Sequence, residues 1–242
     1  MKIAIYGDSY VANFFNADLN DDISYVEMLY KKYSIENYGR GGSSLFFSYQ
    51  QFLNSHRSYD RIIFVATSPG RFYIDAKTNP TLERRHIAGI GHVEDAINFY
   101  ANSPSNLKVF KAIKDYMLYA RNDNEVMAFH NLMLNDIKIK RPDVILFDRQ
   151  QYEDTDFNFW NKLKDQIVSV YDDYIDVRHC HFSKEKHLIF YNMLEDSLST
   201  GKEIDYSNLL NVKPSKSFEE YFVNKEQDIQ YIPFNEYCLS FK

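Results

Sequence analysis

An apolar run, Lys2-Ile3-Ala4-Ile5-Tyr6, stops at Gly7-Asp8-Ser9. A buried strand ending in a Gly-Asp-Ser turn is a way to present a serine hydroxyl at the carboxyl edge of a parallel sheet, where open α/β sheets build their sites. An exposed serine there is a candidate nucleophile. Acyl transfer by serine needs two further parts, a base within hydrogen-bond reach and donors aimed at the developing oxyanion. Asn37-x-Gly39-x-x-Gly42 supplies a glycine-rich turn whose backbone N–H groups can approach a ligand closely, and the Gly42 amide is the natural donor. His181-Phe182-Ser183 supplies a loop histidine just before a helix capped by Ser183. Two other histidines compete for the role of base: His179, within Asp176-Val177-Arg178-His179, and His187, inside the helix and read either as a residue that supports the site from behind or as a packing residue. His181 is preferred because it sits immediately before the step that fixes the helix start.

Together, Gly7-Asp8-Ser9, Asn37-x-Gly39-x-x-Gly42, a buried third strand and the late His181-Phe182-Ser183 resemble the SGNH (GDSL-type) hydrolase family over roughly residues 1–70 and 140–200. The resemblance implies a three-layer α/β/α sandwich of flavodoxin-like topology. It also implies serine esterase, lipase or carbohydrate deacetylase chemistry, with no metal or other cofactor. Two blocks depart from the family pattern. After strand three the family places Gly-x-Asn-Asp, whose Asn donates to the oxyanion; this chain reads Thr67-Ser68-Pro69-Gly70-Arg71, so Ser68, Thr67 or Arg71 must substitute. The family also places an Asp three residues before the base, where this chain has Arg178, which leaves Asp176 as the orienting acid. Loss of one oxyanion donor costs on the order of 10²–10³ in turnover, and loss of the orienting acid about 10⁴.

The expected substrate is an ester or O-acetyl group on a small molecule or glycan, with Arg40 and Arg71 as candidates for binding an anionic or sugar portion. Two other outcomes stay open. One is an acyltransferase using the same serine, since water exclusion depends on how the insertion and tail close over Ser9. The other is a scaffold that kept its shape and lost the reaction, serving as a binding or assembly module.

Rival chemistries have weaker support. His179 and His181 alternate on an extended segment and could share a metal, with Cys180 facing away. No Cys-x-x-Cys or His-Glu-x-x-His spacing accompanies them, so no metal is assigned. Gly39-Arg40-Gly41-Gly42 matches neither the P-loop nor the dinucleotide fingerprint. A net charge of −6 argues against a nucleic-acid footprint, which needs a basic face. Two cysteines make no disulfide framework, no secretory signal is read, and no apolar run approaches membrane-spanning length. A soluble, cytoplasmic protein is therefore expected, with self-association left open. The abundance of Tyr, Asn, Lys and Ile is of the kind found in AT-rich genomes, many phages included.

Alternating elements must position these residues. Strands are predicted at Lys2–Tyr6, Ser34–Tyr38, Arg61–Thr67, Val144–Asp148 and Tyr174–Arg178. The uninterrupted apolar run at 62–66 suits a central strand buried on both faces. Helical periods cover Ile23–Tyr33, Ser43–Ser55, Phe157–Tyr171 and Ser183–Leu198, the second with Leu45, Phe46, Tyr49, Phe52 and Leu53 on one face. Leu107–Ile139 reads as one long helix or a pair broken near Arg121–Asn124, whereas residues 70–104 show no clean period. The sum is one α/β domain over residues 1–200 with a mostly parallel sheet in the order 2-1-3-4-5, an insertion at about 70–140 and an extension at 201–242.

Overall fold

The computed structural model describes residues 1–8, 10–11, 24–67, 69–74, 86–87, 90–148, 169–171, 174–176 and 184–206. Four strands, β1 (Lys2–Tyr6), β2 (Ser34–Asn37), β3 (Arg61–Ala66) and β6 (Ile145–Asp148), form a parallel sheet in the order β2-β1-β3-β6. The register sets Ile3 opposite both Ile35 and Arg61, and Ile63 opposite Ile145. The two central strands are buried on both faces, as their unbroken apolar sequences require.

Because side chains alternate along a strand, each face gathers its own core. Ile3, Ile5, Ile63, Val65 and Phe147 pack with α1 (Tyr25–Lys32) and the last described helix, α6 (Lys184–Thr200). Ala4, Tyr6, Ile62, Phe64 and Ala66 pack with α2 (Leu45–Ser55) and α5 (Asp123–Lys140). Tyr206, just past α6, closes the first core against Phe147 and Phe190, so the start of the C-terminal extension packs back onto the domain.

Caps explain where the helices begin. Ser24 and Glu27 form a reciprocal capping box that starts α1 two residues later than the periodicity predicts. Ser44 caps α2 by accepting from the Phe47 amide. The expected α2 face is rotated: Leu45, Ser48 and Phe52 are buried, while Phe46 and Leu53 are 49% and 38% exposed. Ser48 turns inward because its hydroxyl has a buried acceptor, described below.

Between β3 and α5 lie a short antiparallel pair, β4 (Phe72–Tyr73) and β5 (His86–Ile87), then α3 (Ile90–Phe99) and α4 (Pro104–Asp115). A π-helical turn over Tyr116–Ala120 ends α4, and Asn122 starts α5 by accepting from the Asn124 and Glu125 amides. The helix break predicted near Arg121 is thus made by a capping asparagine. The insertion has a small core of its own in Ile87, Val93, Ala96, Tyr100 and Phe110, and its helix α3 corrects the aperiodic reading of this segment.

Two further expectations are corrected. Tyr174–Arg178 was to be a fifth parallel strand; β8 (Tyr174–Asp176) instead pairs antiparallel with β7 (Ser169–Tyr171) in a separate two-stranded sheet. Ser169–Tyr171 were also to end a helix over Phe157–Tyr171, of which residues 157–168 lie outside the described residues. The two strands stand two residues apart in sequence, and a hairpin partner that close costs far less loop entropy than a place at the end of the main sheet.

Helices α1 and α6 are joined through Glu195, which accepts from Lys32 Nζ at 2.7 Å, Tyr191 OH at 2.9 Å and Tyr33 OH. Burial opposes ionisation of Glu195, but these three donors outweigh it and hold the carboxyl below its ordinary value of 4.5. A lowered folded-state pKa gives stability that is complete above the unfolded value and is lost as pH falls through the folded one. The melting temperature of E195Q should therefore lie below that of the parent at pH 7, and the gap should close as pH falls below 4.5. Thermal melts of both proteins from pH 7 to pH 3 (a range of ordinary carboxylate titration) check this, and a constant gap would count against it.

Candidate functional site

At the carboxyl end of β1 the chain is crowded. A Cβ on Gly7 would lie 2.8 Å from the Val65 carbonyl oxygen and 2.9 Å from Val11 Cγ2. Only glycine lets β1 leave the sheet this close to β3. Asp8 follows, fully buried. Its Oδ1 accepts from the Tyr10 amide at 3.0 Å, and its carbonyl accepts from the Val11 amide at 3.2 Å. Its Oδ2 accepts from Thr67 Oγ1 and from Arg71 Nη1, each at 2.7 Å. A buried carboxylate needs such pairing to be tolerated. Asp8 and Tyr10 flank Ser9 in the sequence, and Ser9 itself lies outside the described residues.

The second glycine-rich turn hangs from the first. The Gly7 carbonyl accepts from the Arg40 amide at 3.2 Å and from the hydroxyls of Ser43 at 3.3 Å and Ser48 at 3.2 Å. Asn37, the last residue of β2, accepts from the Gly39 amide through Oδ1 at 2.7 Å and donates from Nδ2 to the Val11 carbonyl at 2.5 Å. The asparagine thus shapes its own turn and grips the chain beyond Ser9. Gly42 has φ +71°, a left-handed conformation that favours glycine, and no described atom lies within 4 Å of where its Cβ would be. The turn delivers Ser43 and Ser44 to the start of α2.

The two glycines predict different outcomes. G7A must push a methyl group into the backbone of a central strand, at an expected cost of about 1–3 kcal/mol or more. G42A meets open space and should lose only the left-handed backbone preference, about 1–2 kcal/mol. Urea unfolding of both variants should rank G7A as the more damaging, and the reverse order would contradict the packing at Gly7.

The candidate site residues are placed as follows. Arg71 meets Asp8 at the carboxyl edge, and the turn that carries Arg40 and Gly42 is held to the Gly7 carbonyl there. Arg40 is exposed, with its guanidinium carbon 5.9 Å from the centroid of the Phe47 ring. Arg71 is directed inward to Asp8, and its Nη1 also reaches the Ser43 carbonyl at 3.4 Å. Thr67, like Arg71 a candidate substitute for the missing oxyanion asparagine, gives its hydroxyl to Asp8. The backbone of Asp176 lies in β8, outside the four-stranded sheet. Ser9, Ser68, His179, Cys180 and His181 lie outside the described residues, as do residues 207–242. His187 is buried, its ring 5.7 Å from that of Tyr25 and its Nδ1 accepting from the Tyr25 amide at 3.5 Å, which agrees with a packing role.

Compared with models of known protein families and with curated protein sequences, the chain gives no match.

Two features of this edge escaped the motif reading. Asp148 ends β6 next to Ala66, is buried, and lies 3.4 Å from Nε2 of the buried His130 on α5. The sequence signal was there: a carboxylate closing an apolar strand, as Asp8 follows β1, and a histidine in helical register with Leu134 and Ile137. The second feature is Tyr25. Burial, aided by the nearby Asp8 charge, pushes its phenol well above the ordinary range.

Proposed function

We propose that this protein is a serine-dependent hydrolase of esters or O-acetyl groups, built on a three-layer flavodoxin-like α/β/α fold of the kind found in SGNH hydrolases. In this reading Ser9 attacks the carbonyl, His181 takes its proton, and Asp176 orients the imidazole. The amides of Ser9 and Gly42 hold the oxyanion, with Ser68 assisting. The substrate is a small molecule or glycan ester, and Arg40, exposed at the rim, is the side chain best placed to meet an anionic or hydroxyl-rich portion of it.

One observation carries the reading. The two sequence motifs that would supply nucleophile and oxyanion donor are joined at the carboxyl edge of a parallel sheet, because the Gly7 carbonyl holds the Arg40–Ser43 turn. Sites in open α/β sheets form at this edge, and preorganised donors there account for a large share of acyl-transfer catalysis. Among the described residues no helix is long and apolar enough to cross a membrane.

The competing reading, a binding or assembly module without turnover, is favoured by the use made of Thr67 and Arg71. Thr67 gives its hydroxyl hydrogen to Asp8 and Arg71 is directed to the same carboxylate, so neither is aimed at the place of the missing asparagine's side chain as Ser68 would have to be. Fluorophosphonate labelling of the folded protein separates the two. Covalent labelling that depends on Ser9 supports the hydrolase, and a folded protein that takes no label supports the module.

A further inference from the structure

Arg71 stands among the residues expected to bind substrate, but its surroundings favour another task. Its side chain is only 14% exposed, and the carboxylate it meets is 1% exposed. The two hydrogens of Nη1 serve two acceptors, Asp8 Oδ2 at 2.7 Å and the Ser43 carbonyl at 3.4 Å. An ionised substrate group at Nη1 would have to displace a buried aspartate from its partner.

These two acceptors belong to different loops. Asp8 precedes Ser9 at the end of β1, and Ser43 follows Gly42 in the turn between β2 and α2. Arg71 itself lies beyond β3, where Thr67 binds the same Oδ2 at 2.7 Å. Loops from neighbouring strands start about 4.8 Å apart; the Gly7 carbonyl and the Asn37 side chain already tie these two, and Arg71 adds a charged link from a third loop, beyond β3. A planar guanidinium can satisfy a carboxylate and a carbonyl together in one fixed geometry.

We propose that Arg71 is a positioning residue: by binding Asp8 and the Ser43 carbonyl at once, it locks the Asp8–Val11 turn and the Arg40–Ser43 turn in register. The catalytic consequence rests on the serine-hydrolase reading above, since the locked turns are those of the nucleophile and the oxyanion donor. The lock itself does not depend on that reading.

The test uses the full chain with R71M and R71K. Hydrogen exchange read by mass spectrometry should show faster exchange in R71M at residues 7–11 and 38–43 together, with R71K regaining part of the protection. With a neutral and an anionic activated ester, R71M should lose about 10²-fold in kcat, the cost of a misplacement near 1 Å. KM should hold for both esters, and R71K should recover part of the rate. A rise in KM for the anionic ester alone, with kcat and exchange unchanged, would overturn the proposal in favour of substrate binding. If the parent protein neither labels nor hydrolyses, the serine reading fails by itself and exchange decides: coupled loosening of both turns upholds the lock, and unchanged exchange removes it. Should R71M fail to fold, R71K read against the parent gives the same decision.

Discussion

Ser9→Ala should abolish hydrolysis of activated short-chain esters, with a loss on the order of 10⁴ or more in kcat and no residual fluorophosphonate labelling. The magnitude follows from the role. A nucleophile that forms the covalent intermediate has no substitute, and what survives its removal is the contribution of binding and oxyanion donors alone. His181→Ala should come close to the same loss, because base and nucleophile act as a unit and their effects do not add. Asp176→Ala should cost less than either if Asp176 only orients the base. The fold should be intact in S9A, since the neighbouring Asp8 and Tyr10 are held by their own bonds. Steady-state rates for the three variants with melting curves beside them check this, and undiminished turnover in S9A would sink the assignment.

Asp8→Ala should be the most destabilising single change at the site, by about 3–5 kcal/mol, the usual cost of removing one partner of a buried ion pair. Three donors lose their acceptor together: the Tyr10 amide, the Thr67 hydroxyl and Arg71 Nη1. The Arg71 charge is then left in a position that is mostly closed to water. Against a typical domain stability of about 5–15 kcal/mol, such a loss takes a large share. Combining it with Arg71→Met removes the stranded charge, so the double variant should be less unstable than the sum of the two single changes. Urea denaturation of the four proteins measures the coupling. A shift below about 1 kcal/mol for Asp8→Ala would mean that the aspartate is not the hub its bonds describe.

The parts of this fold that could be read from the chain are those where local pattern and burial agree. Ile3–Tyr6 and Ile62–Ala66 are apolar on both faces because both faces are covered, and they form the two central strands. The parallel sheet and the presence of its fourth strand also follow from alternation with helices, and the order of the strands matches the one expected with the flavodoxin-like resemblance. Pattern failed where a long-range polar contact decided the outcome. Ser48 faces inward, and Phe46 outward, because the Gly7 carbonyl waits across the chain for a donor. Arg71 is expected from the sequence to meet substrate or replace the oxyanion asparagine, yet it is the partner of a buried aspartate, since nothing local to Thr67–Arg71 reveals that Asp8 lies beneath it. Tyr174–Asp176 had the composition of a sheet strand but took its near neighbour in sequence as partner. At the site, Gly42 and its turn were legible from glycine spacing, whereas the buried pair of His130 and Asp148 joins a helix and a strand that no short motif connects.

The position of β1 has a consequence for how the protein is made. This strand lies inside the sheet, with Tyr6 opposite Phe64 on one side and Ala4 opposite Glu36 on the other. During synthesis it is available long before β3, and four of its five residues, Ile3 to Tyr6, end fully buried. Until Arg61–Ala66 has left the ribosome the strand has an open edge and two uncovered apolar faces, the kind of segment that chaperones bind and that aggregates when they do not. Closing a parallel pair over so long a loop is entropically slow. The nascent chain therefore carries an apolar segment that stays uncovered until β3 emerges, and its yield in cells should depend on translation speed and chaperone supply more than the stability of the finished domain would suggest.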